Sequence, residues 1–357
     1  MRKILHIGLG KTGTTTFQSH VLPSLVEQGI LAAPPEGAVR QLRILELATY
    51  SEFVWRPRID WPSGPGACVL SHEGLAGHPS RWESNFRVLA STLDENIEIL
   101  ISFRDPIDWL RSNYLQVVAT GMVVKPTEFF VDSKSVMGQR DRLREIPRTY
   151  SPDVVDYASL LRMYSSYFKI VRAVPVRSLV TECEFCAALQ LGVHADGTSK
   201  KKMPSSENVK ENVGYSKQAL TLSLWREYLL NSIGMRSRSY VDELEAEIDQ
   251  VCAQQRVEPE AKQKEMGKEA LISSEPRPLL KHLYPLKRRM QWRYLMQSAL
   301  PRLISVKPFI LEESFEADFP ALSKSQEFVK MLQDRGSVAG YELGRQEGGR
   351  HSNHETR

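Results

Sequence analysis

Five short apolar runs, separated by stretches of helical periodicity, pattern the first half of the chain. The runs are Lys3–Ile7, Gly29–Ala33, Ala67–Ser71, Ile97–Phe103 and Lys169–Val176. Each is short, and most are apolar on both sides, as in strands buried on two faces. Between them, apolar residues recur at helical spacing. Phe17, Val21, Leu22 and Leu25 form one such face, and Phe86, Leu89, Ala90 and Leu93 a second. Tyr157, Leu160, Leu161 and Tyr164 form a third. The stretches 41–50, 181–191 and 216–231 also read as helices. Asp105-Pro106 follows the run ending at Phe103. Aspartate is a good N-cap and proline a good first helical residue, so a helix is predicted from there to about Ala119. Strands alternating with helices predict an α/β fold, with a mostly parallel central sheet flanked by helices.

The pattern changes near residue 235. Residues 1–235 form the predicted α/β domain, 236–339 a helical, partly basic C-terminal extension, and 340–357 a disordered tail. Within the extension, 276–307 carries Arg277, Lys281, Lys287, Arg288, Arg289, Arg293, Arg302 and Lys307 and no acid. Leucines, Met290, Trp292 and Met296 interleave with these bases. Two readings stand: a helix packed on the domain with a solvated basic face, or a basic amphipathic helix on an anionic membrane or partner.

Composition narrows the class. The chain has 357 residues, 41% apolar and 25% charged, with a net charge of +4. These values are ordinary for a soluble protein, and no nucleic-acid partner is expected. There is no apolar run long enough to span a bilayer. The first apolar stretch, Ile4–Leu9, is too short for a signal peptide. The expected location is the cytoplasm, with peripheral contact to the inner membrane face through 276–307. Four cysteines make no disulfide framework at this length. Cys183 and Cys186 read as two small residues on a helix rather than a metal site.

Chemistry concentrates in the first strand and the turn after it. Gly8, Gly10 and Gly13 break the strand, and Thr12, Thr14, Thr15 and Thr16 surround Lys11. A strand, a glycine-rich turn and a helix start make an anion cradle. Glycines let backbone N–H groups approach an anion, and the helix start adds about half a positive charge. The Walker A pattern fails, because its leading glycine falls on Leu5. Gly8-Leu9-Gly10-Lys11-Thr12-Gly13 does match the dinucleotide pattern G-x-G-x-x-G. The ribose-binding acid should then close a second strand about 20 residues on. Glu36 is near that distance but follows Pro34-Pro35 in a loop.

Leu9-Gly10-Lys11-Thr12-Gly13-Thr14-Thr15-Thr16-Phe17 resembles the 5′-phosphosulfate loop of sulfotransferases that use 3′-phosphoadenosine 5′-phosphosulfate (PAPS). Gly10 stands where that family commonly has proline. Arg104-Asp-Pro-Ile-Asp-Trp-Leu-Arg-Ser112-Asn-Tyr114 resembles the family's 3′-phosphate motif, with the same arginine-to-serine spacing. Val69-Leu70-Ser71-His72-Glu73-Gly74-Leu75 is similar to the segment that supplies the base in carbohydrate-type and bacterial members. Asn208–Leu222 loosely resembles a third nucleotide-contacting loop. The likeness covers about residues 1–235.

The resemblance implies a P-loop NTPase-like, three-layer sulfotransferase fold and transfer of a sulfuryl group from PAPS to an acceptor hydroxyl. The acceptor would be a carbohydrate, a lipid or a small molecule. It implies that Lys11 serves the bridging oxygen, and that Gly10, Thr12, Gly13, Thr14, Thr15 and Thr16 surround the 5′-phosphate. Arg104 and Ser112 would hold the 3′-phosphate. The lysine and the helix dipole would do the work of a metal, so none is required. Glu73 is the expected base and His72 its rival; neighbours on an extended chain point to opposite sides. The stretches 41–66 and 120–150 are expected to shape the acceptor pocket. The alternatives are a P-loop kinase-like or NAD-binding protein, or a non-catalytic binding protein on the same fold.

Overall fold

Strand β1 (Arg2–His6) is the second strand of the sheet and pairs in parallel on both sides. On one side lies β2 (Ala67–Ser71), with His6 opposite Ser71. On the other lies β3 (Glu98–Phe103), with His6 opposite Leu100. Strand β4 (Val171–Pro175) continues the parallel pairing beyond β3. The computed structural model describes residues 1–50, 55–119, 126–131, 150–191, 217–232 and 320–339.

Four parallel strands with flanking helices make an α/β fold in the order β2-β1-β3-β4. The chain steps from β1 to one side for β2 and crosses to the other side for β3. The point where this direction reverses is where open α/β sheets hold ligands, at the carboxyl ends of the strands. The glycine turn lies there, directly after β1.

The pleat explains why both faces are apolar. Ile4, Val69, Leu100 and Val174 share a core with Phe17, Val21, Leu25 and Phe185. Leu5, Leu70, Ile99, Ile101 and Ala173 share another with Leu89, Trp109, Leu110, Tyr157 and Leu161. Adjacent residues of one strand serve opposite faces, so each strand must be apolar throughout.

Helices α1 (Thr14–Thr16) and α2 (Leu22–Glu27) are joined by a π-helical turn, Phe17–Val21, into one continuous run. Helix α3 spans Ala38–Tyr50, α4 Trp82–Thr92 and α5 Pro106–Ala119. A short helix, α6 (Pro126–Phe129), precedes α7 (Tyr157–Ser165). After β4 come α8 (Arg177–Val180), α9 (Glu182–Leu189) and α10 (Lys217–Ser232). In α9 Cys186 is buried but Cys183 is exposed, so only one of the two packs into the core.

One expected strand is absent. Residues 29–33 are irregular, and Ala32 N–H donates to Ala67 C=O at 2.8 Å along the sheet edge. Gly29 takes φ 72° as the chain leaves α2, and Pro34-Pro35 carry no N–H groups, so little room remains for a ladder.

The far end of the chain returns to the sheet. Helix α11 (Pro320–Arg335) leads into β5 (Val338–Ala339), which pairs antiparallel with β4. Leu322, Phe328, Val329, Leu332 and Val338 are buried in the β1–β3–β4 core. Phe328 meets Phe103 edge to face, with centroids 5.2 Å apart. Ser325 donates to the Val155 carbonyl at 2.7 Å and accepts from Tyr157 N–H at 3.1 Å. Sequence periodicity assigns this stretch to the extension 236–339; its packing joins it to the same core as residues 1–191. Among the described residues no helix is long and apolar enough to cross a membrane. The basic stretch 276–307, most of 120–150, most of 208–222 and the tail 340–357 lie outside the described residues.

If α11 is integral to the core, emptying its central position should be costly. Phe328→Ala is expected to lower the unfolding free energy by about 3 kcal/mol or more in urea titration. The exposed Lys324→Ala should stay within about 0.5 kcal/mol of the parent.

Candidate functional site

The turn after β1 is shaped by two left-handed residues. Lys11 has φ 68° and Gly13 φ 79°. At Lys11, which has a side chain, that conformation costs on the order of 1 kcal/mol. Such turns gather successive N–H groups into an anion-binding concavity. Gly13 also serves as the N-cap of α1, so the threonines do not cap the helix as their residue type alone would predict. A Cβ on Gly13 would press on Val176 and Val180 at 3.1 Å.

A buried polar chain holds the floor of this turn. Thr12 Oγ1 donates to the Leu9 carbonyl, so it accepts from Ser102 Oγ at 2.6 Å. Ser102 has then used its only proton and accepts from His6 Nε2 at 3.1 Å. Neutral His6 therefore accepts at Nδ1 from Ser71 Oγ, 2.8 Å away. Ser71 in turn accepts from Gln18 Nε2 at 3.0 Å. The donors run in one direction from helix to turn, crossing β2, β1 and β3. His6 is fully buried, and burial pushes its pKa down to about 3, which keeps it neutral. A Cβ on Gly8 would lie 2.4 Å from His6 Nε2 and 2.6 Å from Ser102 Oγ. Gly8 is therefore required by the chain beneath it. At Gly10 a Cβ would meet nothing within 4 Å, so packing does not require a glycine there.

Helix α5 fastens the turn from the other side. Trp109 is buried, and its indole N–H donates to the Gly10 carbonyl at 2.6 Å. Asp105 caps α5 by accepting from the N–H groups of Ile107 and Asp108, each at 3.0 Å. Arg104 therefore leaves β3 at a fixed angle. Its guanidinium is partly exposed and only 4.0 Å from Asp108, a contact that contributes little. Ser112, half-buried, is three residues beyond Trp109 and so shares the helix face turned toward the turn. Beneath Arg104 and Asp105 lies the buried phenol of Tyr157. Burial and the Asp105 carboxylate raise its pKa well above the ordinary value, with Arg104 opposing.

The third part of the site follows β2. His72 N–H donates to the His6 carbonyl at 2.9 Å, which extends the strand by one residue. Its side chain is half-buried, with Nε2 2.7 Å from Oε2 of Glu46 on α3. Glu73 opens a 3₁₀ turn, Glu73–Leu75, and is exposed. The two neighbours therefore occupy different environments. Sequence reasoning missed Glu46, His6, Ser102 and Trp109. Only Trp109 had a signal, as the apolar residue inside the Arg104–Ser112 motif.

Ser71 and His72, the glycine turn, and Arg104 thus lie along one edge of the sheet in that order. Lys11, Thr14 and Thr16 sit at the turn between the two outer positions, with Thr14 buried and Thr15 exposed. Thr14 Oγ1 is buried without a hydrogen-bond partner among the described residues. A buried hydroxyl in that state lacks about 1–3 kcal/mol of compensation, which an anion oxygen would supply. Glu36 is exposed in a turn with no strand before it, which leaves a dinucleotide ribose without its acid. Leu5, in the Walker A glycine position, is fully buried in β1.

Compared with protein-family models, with curated proteins and with solved structures, the chain has no match.

Two measurements test this architecture. Gly8→Ala should lose about 1–3 kcal/mol of stability through overpacking, whereas Gly10→Ala should remain within about 1 kcal/mol in the same denaturant assay. Below pH 6.5 the unfolded chain protonates at His6 while the folded chain does not until about pH 3. Between these values the unfolded state binds one more proton, so stability should fall as pH drops, by about 1.4 kcal/mol per pH unit. His6→Asn should remove that share of the slope.

Proposed function

We propose that the chain is a sulfotransferase that moves a sulfuryl group from PAPS to an acceptor hydroxyl. The observation that carries this reading is the order along the sheet edge. The glycine turn with Lys11 lies between His72 on one side and Arg104 on the other. A donor with phosphates at both ends needs two cationic anchors, and an acceptor needs a base on the far side of the transferring group. The sequence resemblance supplies the chemistry, and Thr14 Oγ1 is a buried hydroxyl suited to a phosphate oxygen.

In this reading the N–H groups of the turn, with Thr14 and its neighbours, hold the 5′-phosphate. Arg104 and Ser112 hold the 3′-phosphate, which distinguishes PAPS from ATP. The acceptor oxygen forms a new bond to sulfur while the bond from sulfur to the phosphate oxygen breaks. The electron pair stays on the phosphate oxygen, where Lys11 neutralises the growing charge. The acceptor's proton passes to a base. Of the two candidates, His72 is better supported than Glu73, because its imidazole is half-buried and oriented by a partner while Glu73 is exposed. The acceptor class is a hydroxyl compound, and the stretch 41–50 on α3 flanks the base.

Titration calorimetry with adenosine 3′,5′-bisphosphate, ATP–Mg²⁺ and NAD⁺ tests the reading. The bisphosphate should bind in preference to the others. Arg104→Ala should weaken it by about 10–100-fold, the value of one charge-assisted contact. A preference for NAD⁺ or ATP–Mg²⁺ by folded protein would overturn the proposal.

A further inference from the structure

Glu46 has no part in the nucleotide chemistry, yet it is a carboxylate 7% exposed and tied to the half-buried imidazole of His72. Three groups converge on it. His72 Nε2 lies 2.7 Å from Oε2, and Arg43, one turn earlier on α3, donates to the same oxygen. The third is the backbone of Gly74, where a Cβ would stand 2.3 Å from the Glu46 carboxyl carbon. Any residue larger than glycine at 74 would push the carboxylate away from His72.

The protonation pattern follows from accounting. Burial raises the Glu46 pKa, but the His72 hydrogen bond and the Arg43 charge outweigh it and hold it below the ordinary value. Glu46 is therefore an ionised acceptor. Whenever the imidazole carries a single proton, a carboxylate partner requires that proton on Nε2, which leaves Nδ1 as the acceptor. The backbone fixes the other end of the ring: His72 is extended, at φ −152° and ψ 106°, and its N–H is bound to the His6 carbonyl.

We propose that Glu46 is a positioning residue that holds His72 as its Nε2–H tautomer, so that Nδ1 presents a lone pair to the acceptor hydroxyl. The catalytic part of the statement rests on the sulfotransferase reading; the tautomer does not. During transfer the hydroxyl proton goes to Nδ1 and the acceptor oxygen's electron pair forms the bond to sulfur. The resulting imidazolium is stabilised by the Glu46 carboxylate. Arg43 and Gly74 keep that carboxylate in place.

The test is nuclear magnetic resonance on the full chain labelled with ¹⁵N-histidine, at a pH above the usual histidine range, where imidazoles are neutral. His72→Asn assigns the resonance. The expected result is a protonated Nε2 and an unprotonated Nδ1 at His72, with a mixture of tautomers in Glu46→Ala. Should the alanine variant not fold, Glu46→Gln serves, because its amide can donate as well as accept and so also yields a mixture. Glu46→Asp should restore the single tautomer at least in part. A proton on Nδ1 in the parent, or an unchanged tautomer in the variants, overturns the proposal. Binding of adenosine 3′,5′-bisphosphate, measured on the same samples, should stay within about twofold in Glu46→Ala or Glu46→Gln, because Glu46 lies on the acceptor side. If the bisphosphate binds neither parent nor variant, the sulfotransferase reading fails while the tautomer result still decides the Glu46–His72 pairing.

Discussion

The neutral imidazole of His6 is the constraint on which the site depends. It lies at the end of β1, fully buried, and bridges a serine on each neighbouring strand. Its two ring nitrogens play opposite roles, so the chain of donors from Gln18 to Leu9 has only one consistent direction. A protonated ring would put two donors into a site built for one donor and one acceptor. The same ring forbids a side chain at Gly8. It therefore fixes where β1 must end and the glycine turn begin, and through Ser102 and Thr12 it sets the floor of that turn. Trp109 does the same from α5 through the Gly10 carbonyl. The turn is thus held from two sides by buried donors, which stabilises the left-handed conformation at Lys11.

Much of the frame was legible in the sequence because the signals were local. Ala67–Ser71 is a strand at the predicted bounds. Asp105 and Pro106 start α5 as cap and first residue, and the helix runs to Ala119, where the described stretch ends. Tyr157, Leu160, Leu161 and Tyr164 are all buried on one helix face. Each case depends on residues within one or two turns of each other. The run 29–33 failed because apolar composition does not distinguish a strand from a segment lying along a sheet edge. The packing of helix α11 was not legible for a related reason. Its periodicity is visible, but nothing local shows that it folds back across Phe103 after a long intervening stretch.

The site divides along the same line. The glycines, Lys11, Arg104 and Ser112 stand in recognisable spacing and could be named from the chain alone. His6, Ser102 and Glu46 could not, because each works through a partner distant in sequence. His6 and Ser102 sit in apolar runs where they pass for tolerated interruptions of a strand. Glu46 sits in a helix of mixed composition, where a carboxylate reads as a solvated face. What sets it apart is burial together with a glycine 28 positions away that leaves it room.

The division has a physical logic. Groups that touch a phosphate must present donors and charge at a turn, and backbone geometry restricts which residue types can do so. Those requirements leave a compact pattern in the sequence. A group that orients a base needs only to be ionised, buried and within hydrogen-bond reach. Many folds of the chain can satisfy that, so no local pattern marks it. The turn half of this edge is accordingly written in two compact runs of residues around Lys11 and Arg104. The other half, assembled from α3, His72 and Gly74, exists only once β2 has paired with β1 and carried His72 past His6.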